Sequence, residues 1–275
     1  MAHIPFPYLA ELPLYARWNT ALLAGSVLLC SAVVLVGIGM EGWRARRDGA
    51  AQPGSYPTVW DNIFSLIILL FLLSSGMGGG SEPQNAPQDT GFSPGSALMY
   101  VGVFLPMVLR YALVPAPQER AGWRYCLAGA LLAVVAAHLF AFLYEQSGLF
   151  ELITQSSGSP KLQSAVRLIR EGDPISRWLA IGTAVIAAPV CEECCFRGII
   201  YRVLKKHAGT AVGIALSSLL FAAIHCALGQ ALPLVVFAVL LCLLYERTRT
   251  LRSCIIAHMA FNLISVLSAL LLTDL

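Results

Sequence analysis

Charged side chains are scarce in this 275-residue chain: Asp, Glu, Lys and Arg make up 12% of it, against roughly a quarter in an ordinary soluble domain. With 57% hydrophobic residues and a mean hydropathy of +0.73, a water-soluble globular protein is excluded. The net charge is only +3, from 18 basic and 15 acidic residues, and there is no Lys/Arg block interleaved with aromatics, so a nucleic-acid partner is not expected. Polar, cysteine-bearing loops are also missing. All eight cysteines (Cys30, Cys126, Cys191, Cys194, Cys195, Cys226, Cys242 and Cys254) fall within or beside apolar segments, and they read as small buried hydrophobes rather than a disulfide framework. No paired CxxC spacing suggests a structural zinc site, and the HExxH helix of common membrane metalloproteases is absent. The N-terminus has His3, Pro5 and Pro7 before a late Arg17 and lacks the basic start and cleavage site of a signal peptide, so the first apolar segment is expected to be retained.

What the chain does have is a succession of apolar stretches near the length of about 20 residues needed to cross a bilayer. Eight are read between charges and Gly/Pro clusters: about Trp18 to Met40, Val59 to Met77, Ala97 to Val114, Trp123 to Tyr144, Arg177 to Lys205, Thr210 to Leu228, Ala231 to Tyr245 and Ser253 to Leu272. Gly229 and Pro233 around Gln230 predict the turn that makes the sixth and seventh a tight hairpin. The fold expected is an all-α, polytopic membrane protein of about eight transmembrane helices in the lipid bilayer, divided into an N-terminal half, 1–176, and a C-terminal core, 177–275. Lys and Arg gather in alternate loops: Arg44, Arg46, Arg47, Arg110, Arg120, Arg124, Arg202, Lys205, Lys206, Arg247, Arg249 and Arg252 on one side, Arg17, Lys161, Arg167, Arg170 and Arg177 on the other. By the positive-inside rule the first side is cytoplasmic. The loop 78–94, rich in Gly, Pro, Gln, Asn and Ser, carries no packing signal. Within 146–174, Leu162, Val166 and Ile169 beside Lys161, Arg167 and Arg170 predict a short interfacial helix.

A charge inside an apolar span costs roughly 2.5–3.5 kcal/mol on insertion scales and is a functional hypothesis by default. One segment concentrates such charges: Cys191-Glu192-Glu193-Cys194-Cys195-Phe196-Arg197-Gly198. On a helix Glu193 and Arg197 are i,i+4 neighbours, while Glu192 points about 100° away. Glu193 is thereby neutralised, and Glu192 is left as a desolvated carboxylate suited to act as a general base. Two later spans add partners: His225, four residues after Phe221, and His258 with Asn262 one turn on. Glu192 and His225 are expected to hold and deprotonate a water, and His258 and Asn262 to donate to the oxyanion of an attacked carbonyl. His138, in the fourth span and without polar company, is read as a core residue.

These blocks, Glu192-Glu193-xxx-Arg197, Phe221-xxx-His225 and His258-xxx-Asn262 in this order on separate helices, resemble the type II CAAX prenyl endopeptidase family, the Rce1-like branch of the CPBP (Abi) proteases. Ala188-Pro189, Phe196-Arg197-Gly198 and Tyr245-Glu246-Arg247-Thr248 agree with it, and the resemblance covers roughly residues 177 to 270. It implies an eight-helix intramembrane glutamate endopeptidase with Glu192 and His225 on water, His258 and Asn262 at the oxyanion, and Glu193, Arg197 and Phe221 in support. It implies no cofactor, a peptide or lipidated CAAX-type protein as substrate, and a cavity open to the cytoplasm. Two alternatives stand beside it: a zinc protease with Glu192, His225 and His258 as ligands, and a non-catalytic membrane immunity or scaffold protein.

Overall fold

The computed structural model describes residues 121–157, 166, 169–170, 172–225 and 227–271. The first three expected spans, the 78–94 loop and most of the expected interfacial helix lie outside them. The described chain is all helical: α1 (Trp123–Gln146), α2 (Leu149–Ser157), α3 (Pro174–Gly182), α4 (Ala188–Cys195), α5 (Tyr201–Ala223), α6 (Leu228–Thr248) and α7 (Leu251–Leu271). Two π-helical turns, Thr183–Ala187 and Phe196–Ile200, join α3 to α4 and α4 to α5. Among the described residues four stretches are long and apolar enough to cross a membrane: α1, the continuous run Pro174–Ala223, α6 and α7.

The run Pro174–Ala223 is twice the length of a span and turns back on itself at Gly209. That residue has φ +84° and ψ 169°, a conformation essentially confined to glycine. The reversal shows in the packing, because a Cβ on Gly213 would stand 3.0 Å from the backbone nitrogen of Lys205, whereas eight residues of straight helix separate their ends by about 12 Å. The fifth and sixth expected spans therefore meet at Gly209. The turn expected at Gly229 and Pro233 lies elsewhere: helix α5 ends at Ala223, and α6 begins at Leu228 and contains both residues. Pro233 is tolerated because its missing N–H frees the carbonyl of Gly229 four residues back, and the Tyr144 hydroxyl of α1 donates to that carbonyl at 2.9 Å.

Helix α6 is the centre of the bundle and packs on α1, α2, α5 and α7, while α7 also packs on α1, α4 and the first π turn. Small side chains let α1 come close: Ala130, Ala133 and Ala137 form its buried stripe, and a Cβ on Gly129 would meet Leu244 at 2.7 Å. Close backbone approach of this kind is the usual basis of helix association in lipid. Phe196, Tyr201, Phe221, Phe237, Leu241, Leu251 and Ala257 complete the core. Helix α3 starts on Pro174, with the Asp173 carboxylate accepting from the N–H groups of Ile175 and Ser176 at 3.0 and 3.2 Å, a regular N-cap. In the connector before it the described helix is α2, earlier than the interfacial helix read around Leu162.

Candidate active site

Helix α4 lies between the two π turns and carries Glu192 and Glu193 to the middle of the bundle. Each π turn inserts a residue into the helical ladder, a distortion frequent at functional sites. The first has a visible cause. The N–H of Ala188 reaches back five residues to the carbonyl of Thr183, and the next residue, Pro189, has no N–H, so the Ala184 carbonyl is left without a backbone donor. Asn262 supplies one: its Nδ2 donates to Ala184 O at 2.8 Å. The amide read as an oxyanion donor thus spends one of its two hydrogens holding the turn in front of the Glu pair.

Glu193 is fully buried and its Oε1 accepts twice, from Arg197 Nη1 at 2.9 Å and from His258 Nδ1 at 2.8 Å. Arg197, 1% exposed, also donates from Nη2 to the Ala238 carbonyl of α6 at 3.0 Å, and its guanidinium lies 4.9 Å from the centre of the Phe221 ring. One arginine thereby ties α6 and α5 to the carboxylate. Since Glu193 accepts at Nδ1 of His258, that nitrogen carries the proton, and Nε2 faces Glu192 Oε2 at 3.8 Å. That separation is too long for a hydrogen bond. Glu192 Oε2 is buried without a hydrogen-bond partner, although the Glu192 side chain as a whole keeps 18% exposure.

His225 stands at the turn after α5, where its Nδ1 donates to the Phe221 carbonyl at 2.8 Å and leaves Nε2 as the open nitrogen. The Phe221 ring lies 4.9 Å from that of His225 and 5.8 Å from that of His258, so one aromatic side chain sets the spacing of the two imidazoles. Phe237 backs His258 at 5.2 Å. Counted along α7 from Leu251, His258 lies about 10 Å and Asn262 about 16 Å into a helix of about 30 Å.

Residues 174–264 match the sequence profile of the Rce1-like family, type II CAAX prenyl endopeptidases. This segment, about a third of the chain, is similar to that family. No curated protein and no solved structure matches the chain. The matched segment begins at the first residue of α3 and takes in Glu192, Glu193, Arg197, Phe221, His225, His258 and Asn262. The four apolar stretches fit an integral membrane protein, and the matched segment is similar to a protease family. It brings Glu192, Glu193, Arg197 and His258 into one cluster and sets Phe221 between His258 and His225, while Asn262 is turned toward the first π turn. Among the described residues no three of His, Cys, Asp and Glu are grouped to hold a metal ion.

Sequence reading missed two features. Pro189 was visible, but its link to Asn262 depends on a contact across 78 residues. Ser218, fully buried with an unpartnered hydroxyl, sits one turn before Phe221 and has no local signature beyond a serine in an apolar helix.

Proposed function

We propose that the protein is an intramembrane endopeptidase in which Glu192 activates a water to attack a peptide carbonyl. The observation that carries this reading is the gap between Glu192 Oε2, buried and unpartnered, and His258 Nε2, 3.8 Å away. Both atoms are within hydrogen-bond reach of a single water lying to one side of the line between them. Glu192 takes a proton from that water as its oxygen bonds to the carbonyl carbon, and His225 Nε2 accepts the water's second hydrogen. The carbonyl oxygen becomes an oxyanion and receives hydrogen bonds from His258 Nε2–H, in its imidazolium form, and from the second amide hydrogen of Asn262. Glu193 stabilises that imidazolium through Nδ1. Collapse of the intermediate breaks the C–N bond, and Glu192 returns its proton to the leaving amine.

The substrate is a hydrophobic or lipidated peptide, with the C-terminal tripeptide of a CAAX-type protein as the form that the family name suggests. On this reading the chain crosses the bilayer about eight times, and the site opens to the cytoplasmic side, where Arg202, Lys205, Lys206, Arg247, Arg249 and Arg252 collect. The test is Glu192→Gln in purified, lipid-reconstituted protein, followed by mass spectrometry of a farnesylated CAAX-form peptide and of the membrane peptidome. Loss of the general base lowers cleavage by about 10²–10⁴-fold with an unchanged melting profile. Undiminished cleavage by that variant would reject the mechanism.

A further inference from the structure

His138, on α1 and outside the Rce1-like segment, holds a hydrogen-bond acceptor with nothing to accept. Its Nδ1 lies 3.0 Å from the Val134 carbonyl of its own helix, and since a carbonyl only accepts, Nδ1 carries the proton. The lone pair of the neutral ring is then on Nε2, which is turned away from the α1 backbone and is buried without a partner. A histidine filling space in a core would present carbon there, or would find a donor.

The ring is also tied to the active site. His138 lies 4.4 Å from Phe261, Phe261 stacks on Phe237 at 4.1 Å, and Phe237 meets His258 at 5.2 Å, all between ring centres. Those three steps put His138 at most about 14 Å from His258, the reach of four extended residues at about 3.3–3.6 Å each. A peptide entering a chamber at membrane depth brings backbone N–H groups that must be satisfied by protein. Helix carbonyls are already engaged, so side-chain acceptors have to serve.

We infer that His138 is a substrate-binding residue whose Nε2 accepts a backbone N–H of the peptide no more than about four residues from the bond that is cut. The inference rests on the endopeptidase reading and extends the site to α1, so that the N-terminal half contributes to recognition while the Rce1-like segment holds the chemistry.

The test compares kcat and KM for a farnesylated CAAX-form peptide extended on its N-terminal side, and for a series in which one backbone nitrogen at a time is methylated. In the wild type, methylation at one position within about four residues of the cut raises KM by about tenfold, the weight of one good hydrogen bond. His138→Phe raises KM for the parent peptide by a similar factor, keeps kcat, and shows no added loss at that position. His138→Gln, which keeps an acceptor oxygen, restores most of the parent KM and the sensitivity to methylation. An unchanged KM in His138→Phe, or methylation sensitivity that survives in it, overturns the assignment, as does an equal fall in kcat for both variants with lowered melting temperatures, which marks a packing role. Wild-type protein that leaves every peptide intact sinks the endopeptidase reading and this inference together, whereas cleavage with His138→Phe indistinguishable from wild type sinks this inference alone.

Discussion

Glu192 and Glu193 are adjacent in the chain and opposite in circumstance. Each has a buried Oε2 with no partner, but Glu193 is fully buried and its Oε1 accepts from a guanidinium and an imidazole, whereas Glu192 keeps 18% exposure and faces only His258, at 3.8 Å. A buried ion pair stabilises little relative to apolar packing, but removing one member strands the other charge, at a cost of about 3–5 kcal/mol. Arg197 has the larger number of dependants, since Glu193, the Ala238 carbonyl and the Phe221 ring all lean on it. Arg197→Met is therefore expected to lower stability by about 3–5 kcal/mol, read as a fall in the thermal midpoint of reconstituted protein. The change Glu193→Gln in the same background should recover part of that loss, because the stranded charge goes with it. A midpoint that does not move with Arg197→Met would show that the pair lies in a wetter place than its 1% exposure indicates.

At the level of elements, the first π turn, Pro189 and Asn262 form one unit. Asn262 satisfies a carbonyl that Pro189 leaves open, so Asn262→Ala leaves a part-buried acceptor without its donor and costs about 0.5–1.5 kcal/mol. Pro189→Ala restores a backbone N–H and should shrink that cost, so the double variant falls short of additivity by about 1 kcal/mol in a double-mutant cycle; additive losses would dissolve the unit. A second element-level expectation concerns α3. The Asp173 carboxylate is held below the ordinary range by its hydrogen bonds from Ser176, side chain and backbone, and from Ile175. A group whose pKa is lowered by folding contributes above its unfolded pKa and loses that contribution as pH falls through the folded one. The N-cap should thus survive mild acid, and the Ile175 amide resonance should titrate only below the usual aspartate range. How far these features can be read from sequence depends on their reach along the chain. The Glu193–Arg197 contact is four residues long and follows from helical spacing, as do the existence of α1, α6 and α7. Gly209 and the Gly229–Pro233 pair look alike as breakers, and only tertiary packing distinguishes them: Tyr144 satisfies the carbonyl that Pro233 frees, whereas the packing of Gly213 on Lys205 requires the reversal at Gly209. The His258–Glu193 bond joins residues 65 apart, and no local pattern shows which carboxylate the imidazole would choose.

Over the whole molecule, the ends of the bundle differ in charge. At one end the Ala121 N–H donates to the Thr248 carbonyl, and Glu246 gathers Lys205, Arg249 and the Tyr201 hydroxyl, with Arg124, Arg202, Arg247 and Arg252 in the same helical turns. At the other, Arg170 Nε donates to the Ala269 carbonyl and Tyr144 to that of Gly229. These contacts fix the direction of every pass: α1 leaves the basic end, the Pro174 run returns to it and reverses at Gly209, α6 comes back to it, and α7 leaves it again. His258 then lies about 10 Å from the basic end of α7, nearer to that end than to the other. The arrangement makes a topological prediction independent of activity. A cysteine placed at Arg252, exposed at the start of α7, should react with a membrane-impermeant thiol reagent in inside-out vesicles and stay protected in right-side-out ones. A cysteine placed at Ser156, exposed near the end of α2, should show the reverse. Both sites labelling from the same face would contradict the number of passes between them, and an exchange of the two faces would put the basic end of the bundle on the side away from the cytoplasm.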